Sequence, residues 1–238
     1  MSCNEYCIAI HSDEPATDCK LCNHCKCCKN KRWNYYGGWD YCRNNGYCKC
    51  IISTEKSFLK TYPIDEIELM SSCVDDIKEK LIIRPTIQVY GKKCIQHRSI
   101  GFFSNTSVGY KYSGQIAKSQ QLTKNLSLLL DKVNSLLKAE FNGILVNKYE
   151  TGEDYIGPHS DDERMLDPVG VVSISHGAVR LFRIRNKKTK EIKIDIPTEE
   201  NTLIHMGGDF QKEFTHEVPI QKKIKDARYS FTFRKHVE

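Results

Sequence analysis

Apolar residues recur along most of this chain in two periods, one helical and one extended. From Ser119 to Phe141 the residues Leu122, Leu126, Leu129, Leu130, Val133, Leu136 and Leu137 fall on one stripe of a helical repeat. That stripe predicts an amphipathic helix, with Ser119 available to cap its start. A shorter helix is expected from about Ile64 to Leu81. Alternation with a period of two predicts strands at Thr86–Tyr90, Ile144–Tyr149, Val171–Ser175, Val179–Arg185, Ile192–Ile196, Thr202–His205, Phe214–Val218 and Tyr229–Arg234. At the end of the chain, Arg228, Ser230, Thr232 and Arg234 share one face and Tyr229, Phe231 and Phe233 the other. Two helices followed by many short strands predict an α+β fold. Its expected core is a jelly roll (double-stranded β-helix) of two sheets, with the helices against one of them.

The first fifty residues carry neither period. Ten of the twelve cysteines lie there: Cys3, Cys7, Cys19, Cys22, Cys25, Cys27, Cys28, Cys42, Cys48 and Cys50. The run Cys19-x-x-Cys22-x-x-Cys25-x-Cys27-Cys28 has zinc-like spacing, and Cys48-x-Cys50 could close a four-thiolate site. So little apolar content forms no core unaided, which favours a structural zinc in residues 1–50 as the organiser. A disordered thiol-rich tail and a set of disulfides are the rivals; the second is disfavoured because no hydrophobic signal segment leads the chain. The drop in cysteine content between Cys50 and Phe58 sets the expected boundary, with one larger domain over residues 58–238. Cys73 and Cys94 read as plain core or surface residues.

The formal net charge is +6. A basic run, Arg180, Arg183, Arg185, Lys187, Lys188, Lys190 and Lys193, suits phosphate contact as well as it suits a solvated hairpin. No stretch is long and apolar enough to span a membrane, so a soluble, intracellular monomer is expected, nuclear or cytoplasmic.

The chemistry is concentrated near the C-terminus. His159-Ser160-Asp161 puts two metal-ligating side chains on the same side of an extended segment, and His216 follows in Phe214-Thr-His-Glu-Val-Pro219. Two imidazoles and a carboxylate on one face of Fe(II) leave the opposite face open for a co-substrate and oxygen. Taken alone the triplet is a weak signal among eight histidines. The strand Arg228 to Arg234 strengthens it. Two guanidiniums on its polar face suit a small dicarboxylate, since Arg donates to a carboxylate as a rigid fork; a solvated edge of paired arginines is the alternative.

In order along residues 84 to 236, Val89-Tyr90-Gly91-Lys92, Tyr110-Lys-Tyr112-Ser-Gly, Phe141-Asn, Asn147-Lys-Tyr149, Gly157-Pro-His159-Ser-Asp161-Asp162-Glu163, Ser173-Ile-Ser-His-Gly177, His216-Glu-Val-Pro219 and Arg228 to Arg234 resemble the AlkB-type Fe(II)/2-oxoglutarate dioxygenases. The nuclear DNA-repair homologues resemble them most. The resemblance implies that His159, Asp161 and His216 ligate Fe(II). It implies that Arg234 pairs with the far carboxylate of 2-oxoglutarate and Arg228 with the end chelated to iron, while Asn147, Tyr149 and Thr232 complete that pocket. Tyr112, with Tyr110 nearby, would stack on an extruded base, Asp162 would face it, and the hairpin of Val89, Tyr90, Gly91 and Lys92 would probe the duplex.

The implied activity is oxidative demethylation of alkylated DNA bases of the 1-methyladenine and 3-methylcytosine type. The same chemistry on RNA or on a protein side chain is an alternative, and a non-enzymatic binding module built on the cysteine-rich segment is another. Two positions depart from the family's pattern. His176 stands where Phe or Leu is usual, with packing favoured over a site role, and Phe214 stands for a frequent Trp.

Overall fold

The computed structural model describes residues 49–89, 91–107, 109–112, 115–161 and 169–235, with the backbone alone of Lys49, Val89, Lys111, Tyr112, Gln115 and Ile116. The cysteine-rich segment, except Cys50, lies outside these residues, and with it the expected zinc. Tyr90, Asp162 and the side chains of Val89 and Tyr112 lie outside them too.

The strands run in chain order as β1 (Lys49–Ser53), β2 (Ser57–Pro63), β3 (Thr86–Val89), β4 (Lys92–Ile95), β5 (Ser99–Phe103), β6 (Gly109–Tyr112), β7 (Gln115–Gln120), β8 (Gly143–Tyr149), β9 (Ile156–His159), β10 (Val171–Gly177), β11 (Leu181–Asn186), β12 (Ile192–Pro197), β13 (Thr202–Gly208), β14 (Phe214–Val218) and β15 (Arg228–Arg234). The helices are α1 (Ile67–Ile77), α2 (Lys124–Leu137) and the single turn α3 (Phe210–Glu213).

The strands form a nine-stranded sheet in the order β1-β2-β13-β10-β15-β8-β5-β7-β6, a four-stranded sheet β12-β11-β14-β9, and the separate hairpin β3-β4. Pairing is antiparallel except for the parallel contact of β5 with β7. The fold is therefore α+β with a mixed main sheet, and the jelly-roll expectation is corrected: no sheet is closed into a barrel or strongly curled. The reason lies in the strands that alternation did not reveal. Eight were predicted and fifteen are described; of the additional seven, β1 and β2 lengthen the large sheet at one end and β5, β7 and β6 at the other. The result is a long sheet with open edges.

The two faces of the large sheet bury different things. One face contributes Ile144, Val146, Val172, Ile174, Leu203, Phe231 and Phe233 to a core shared with Met70, Cys73 and Ile77 of α1 and Leu126, Leu129, Leu130 and Val133 of α2. The opposite face contributes Leu59, Tyr149, Val171, Ile204 and Met206 to a second core with Phe182, Ile184, Ile196, Phe214 and Val218 of the small sheet. This is the expected division of β15, with Phe231 and Phe233 on the helix side. His176 lies on that side as well, with its Nε2 3.4 Å from Ser71 Oγ of α1 and its Nδ1 2.9 Å from Glu200. It packs beneath the sheet.

The long helix starts later than Ser119, which belongs to β7. Thr123 caps α2 by accepting a hydrogen bond from the Leu126 amide at 3.1 Å. Lys138 then ends it in the left-handed region, φ 52°. In the hairpin, Val89 pairs with Lys92 at the last register position of the β3–β4 ladder. Gly91 meets its positive φ of 77° without a side-chain penalty. Lys92 and Lys93 are exposed. No helix among the described residues is long and apolar enough to cross a membrane.

His205 of β13 is buried edge-on against Phe58, and its ring nitrogen Nε2 donates to the Val169 carbonyl at 2.5 Å. Burial pushes its pKa from 6.5 down to about 4, opposed by the Val169 bond and assisted by Lys60. Between those values the unfolded chain binds the proton and the folded one does not. Stability present above pH 6.5 is thus lost as the pH falls toward 4. The loss is expected to reach roughly 3 kcal/mol from this group. Chemical denaturation at pH 7 and pH 4.5 checks it: His205→Phe should flatten the slope, and an unchanged slope would exonerate His205.

Candidate active site

Two short strands bring the metal-ligand candidates together. In the antiparallel pairing of β9 with β14, His159 stands directly opposite His216, with ring centroids 4.3 Å apart. Asp161 lies two residues beyond β9. Its Oδ1 is 4.0 Å from His159 Nε2 and its Oδ2 3.7 Å from His216 Nε2. One ligand atom from each of the three residues lies within 4.8 Å of the others, as binding to one ion requires.

Local contacts orient these groups. His159 Nδ1 is 2.9 Å from the Gly157 carbonyl; donating its hydrogen there leaves the Nε2 lone pair to a metal. His216 is buried against Phe182, ring to ring at 5.2 Å. Ser160 Oγ donates to the Phe214 carbonyl at 2.9 Å, and the Asp161 amide donates to Gln211 Oε1 at 2.9 Å.

The electrostatics keep the imidazoles neutral and the carboxylate charged, the forms that ligate. Burial, reinforced by His159, lowers His216 to about 3 despite Asp161. His159 is also lowered, by burial first. Burial opposes the charge on Asp161, but Arg234, His216 and His159 outweigh it and hold the carboxyl at about 2. Arg234 Nη2 lies 3.4 Å from Asp161 Oδ1.

A polar lane crosses the inner face of the large sheet beside this centre. Because paired residues share a face, Asn147 and Tyr149 of β8 lie beside Ser230 and Arg228 of β15, and Ser173 and Ser175 of β10 beside Thr232 and Ser230. All of these are buried. Arg228 donates to Ser175 Oγ at 2.8 Å and to Thr198 Oγ1 at 3.2 Å, and its guanidinium carbon lies 5.2 Å from the Tyr149 ring centroid. Its buried Nη1 has no hydrogen-bond partner among the described residues. Burial lowers its pKa to about 10. At the opposite end of the strand, the Arg234 guanidinium carbon lies 4.6 Å from the ring centroid of the buried Tyr110.

The two arginines stand at different distances from the cluster. Arg234, expected at the far carboxylate of a bound keto acid, lies against the candidate metal ligand Asp161. Arg228 is six residues away, about 20 Å of strand.

Two residues of this region were missed in the sequence. Arg98 is buried and its Nε donates to Asn147 Oδ1 at 2.8 Å, close enough to His159 to lower its pKa. Gln211 holds the Asp161 amide. Neither belongs to a periodic motif, and only tertiary pairing reveals them.

The basic run is mostly consumed internally. Arg180 is buried and donates to the carbonyls of Thr151, Asp154 and Pro219. Arg183 pairs with Asp195 through two contacts of 2.7 and 2.8 Å, and Arg185 with Glu217 at 2.8 Å. Lys187 donates to the Gln211 carbonyl, while Lys188 is exposed.

Three clustered donors of the right kind, two neutral and one anionic, fit an Fe(II) ion. The orphaned Arg228 Nη1 in a lane of hydroxyl and amide groups fits a carboxylate of 2-oxoglutarate.

This combination defines an oxygenase, and the chain belongs to the 2OG-Fe(II) oxygenase superfamily, whose pattern matches residues 59–234. It is an enzyme of the oxygenase type. Its similarity extends to the DNA oxidative demethylase ALKBH2 of Homo sapiens, 30% identical over 157 residues, and to that of Mus musculus, 31% over 158. Each match covers 63% of this chain and, respectively, 60% and 66% of the relative, so less than two thirds of either relative's length. Alpha-ketoglutarate-dependent dioxygenase alkB homolog 3 of Rattus norvegicus is 35% identical over 103 residues, covering 40% of this chain and 35% of that one. A solved structure titled "The structure of OsALKBH1" shares the fold, with a TM-score of 0.50 at 15% identity, covering 79% of this chain and all of that one.

Replacing Asp161 by Ala removes a metal donor and the carboxylate that faces Arg234. The metal-free variant is expected to lose roughly 3 kcal/mol of stability, because one member of a buried charge pair is left behind. His216→Ala should abolish metal binding without that charge penalty. Urea denaturation of both metal-free variants measures the difference, and equal losses would show that the Arg234 contact contributes little.

Proposed function

We propose that residues 58–238 form the catalytic domain of an enzyme that oxidatively demethylates N-alkylated nucleobases in DNA, with 1-methyladenine and 3-methylcytosine as the lesion types. The observation that carries this reading is the His159–Asp161–His216 cluster opening onto a lane with a buried arginine at each end. Its nucleic-acid part is supported by similarity to ALKBH2, whose name is that of a DNA oxidative demethylase, and by the exposed Lys92 and Lys93 on the β3-β4 hairpin.

His159, Asp161 and His216 would hold Fe(II). Bound there with 2-oxoglutarate and O2, it supplies the oxidation: the keto acid becomes succinate and CO2, one oxygen atom entering succinate and the other the substrate's N-methyl carbon. The hydroxymethyl product then breaks its N–C bond and releases formaldehyde; the electron pair stays on the ring nitrogen, the hydroxyl proton leaves to solvent, and the base is restored.

The chain's own residues bind, orient and exclude water. Arg228 is the residue to take the carboxylate remote from the metal, helped by Tyr149 and Ser175. Arg234 would act at the metal end through Asp161, which reverses the order implied by the resemblance. Asn147, fixed by Arg98, and Thr232 would line the keto acid between them. The second core between the sheets keeps bulk water from the centre. A stacked base cannot reach a buried metal, so the nucleotide must be flipped out or unpaired, at about a few kcal/mol. By the resemblance Tyr112 and Asp162 would receive it, and Tyr110 is buried against Arg234. The hairpin residues Val89, Tyr90, Gly91 and Lys92 would occupy the gap.

The test is incubation of the protein with Fe(II), 2-oxoglutarate and oligonucleotides carrying 1-methyladenine or 3-methylcytosine, following loss of a methyl mass. Methylated DNA is expected to be repaired by wild type and untouched by His216→Ala. Methylated RNA and a methyl-lysine peptide are the other arms. Succinate formation with every methylated DNA base intact would overturn the DNA reading while leaving the oxygenase. Arg228→Ala should raise the KM for 2-oxoglutarate roughly 10–100-fold, the range for losing a charged hydrogen bond, with a smaller effect on kcat. An unaltered KM would remove Arg228 from that role.

A further inference from the structure

Of the three metal-ligand candidates, Asp161 has the least support from regular structure. His216 sits inside β14 and His159 ends β9, but the β9–β14 ladder makes its last pairing toward the site at His159 opposite His216. Asp161 is two residues past that point. Its amide reaches no carbonyl of the sheet; it donates to Gln211 Oε1 at 2.9 Å, a side chain fifty residues away in sequence.

Gln211 is itself held firmly. It lies on α3, whose Phe210 is fully buried in the core between the sheets. At the tip of the β11–β12 hairpin, the Lys187 amide donates to the Glu213 carbonyl at 2.9 Å and Lys187 Nζ donates to the Gln211 carbonyl at 2.9 Å. Among the described residues the amide nitrogen of Gln211 meets only the Met206 sulfur, at 3.8 Å. The carboxamide is thus committed to accepting from Asp161, and α3 runs directly into the strand that carries His216.

We propose that Gln211 is a positioning residue for the metal centre: by accepting the Asp161 amide it fixes the loop carboxylate against the two histidines, so that all three ligands form one pre-set face. The inference rests on the metal site and is independent of the nucleic-acid reading. Loss of the acceptor frees the backbone at residue 161, while Ser160 remains tied to Phe214. The carboxylate then has to be ordered by the metal itself, and affinity falls. Partners of metal ligands in other proteins typically account for 10–100-fold in metal affinity or activity.

The experiment is an anaerobic titration of the full chain with Fe(II) at saturating 2-oxoglutarate, following the visible charge-transfer absorption of the iron–keto acid chelate. That absorption needs the keto acid, which separates this site from iron held by cysteines. Gln211→Met keeps the length of the side chain without the acceptor, and Gln211→Glu keeps the acceptor. Met is expected to weaken Fe(II) binding by about 10-fold or more and to shift the band, with Glu within about threefold of wild type. A Met variant within about twofold of wild type, with an unmoved band, would overturn the proposal. Melting of the metal-free proteins is the control for folding. Should the Met variant not fold, Gln211→Asn, one carbon too short to reach, decides by the same titration, and wild-type affinity in it overturns the proposal equally. Absence of the band in wild type would instead refute the iron and 2-oxoglutarate assignment.

Discussion

The architecture of the site depends on one antiparallel register, that of β9 against β14. Only with His159 opposite His216 do two imidazoles from segments more than fifty residues apart meet at 4.3 Å and leave Asp161 beside both. A slip of one residue in β9 would turn the His159 ring to the other face, away from His216, because side chains alternate along a strand. The register is held by packing on both sides. Phe214 and Val218 anchor β14 in the core between the sheets, and Arg180 binds the turn preceding β9 to the chain that follows β14. Gly152 permits that closure: a Cβ there would meet the Gln221 carbonyl oxygen at 1.9 Å.

The large sheet divides its labour by face. Toward the helices it is continuously apolar, and this supplies the stability that allows the inner face to carry hydroxyls, amides and guanidiniums. β15 shows the division most clearly, with Phe231 and Phe233 fully buried behind and Arg228, Ser230, Thr232 and Arg234 in front. Strand register then carries the pattern sideways. Asn147 and Tyr149 on one neighbour and Ser173 and Ser175 on the other fall into line with β15, because paired residues in an antiparallel ladder share a face.

That periodicity explains what could be read from sequence. The faces of β15, the stripe of α2 and the same-side geometry of His159 and Asp161 are local consequences of helix and strand repeats. Which strands pair is not local. The strands β1, β2, β5, β6 and β7 carry weaker alternation, so the large sheet was read as shorter than it is and the two sheets as a closed roll. The cap of α2 was misplaced because Ser119 and Thr123 are both competent caps, and the choice fell to the pairing of Ser119 with Phe102 in β7. The surroundings of the two arginines are non-local for a related reason. Sequence places both on one face, but only the tertiary approach of Asp161 to the Arg234 end sets one of them beside the candidate metal ligands.

Arg228 carries the argument from architecture to chemistry. Its partners among the groups around it are neutral, namely Ser175, Thr198 and Tyr149, while Arg180 lies close enough to repel it. Burial therefore makes its positive charge costly, lowering its pKa to about 10, and Nη1 is left without an acceptor. A structural arginine at this depth is normally satisfied, as Arg180 is by three backbone carbonyls. A buried guanidinium short of an acceptor, facing a lane of hydroxyl groups that ends at a metal-ligand cluster, is instead suited to an anion that comes and goes. The folded state carries that cost, and a carboxylate in the role proposed for 2-oxoglutarate would recover it, which is how a site selects a dicarboxylate over a neutral molecule of the same shape.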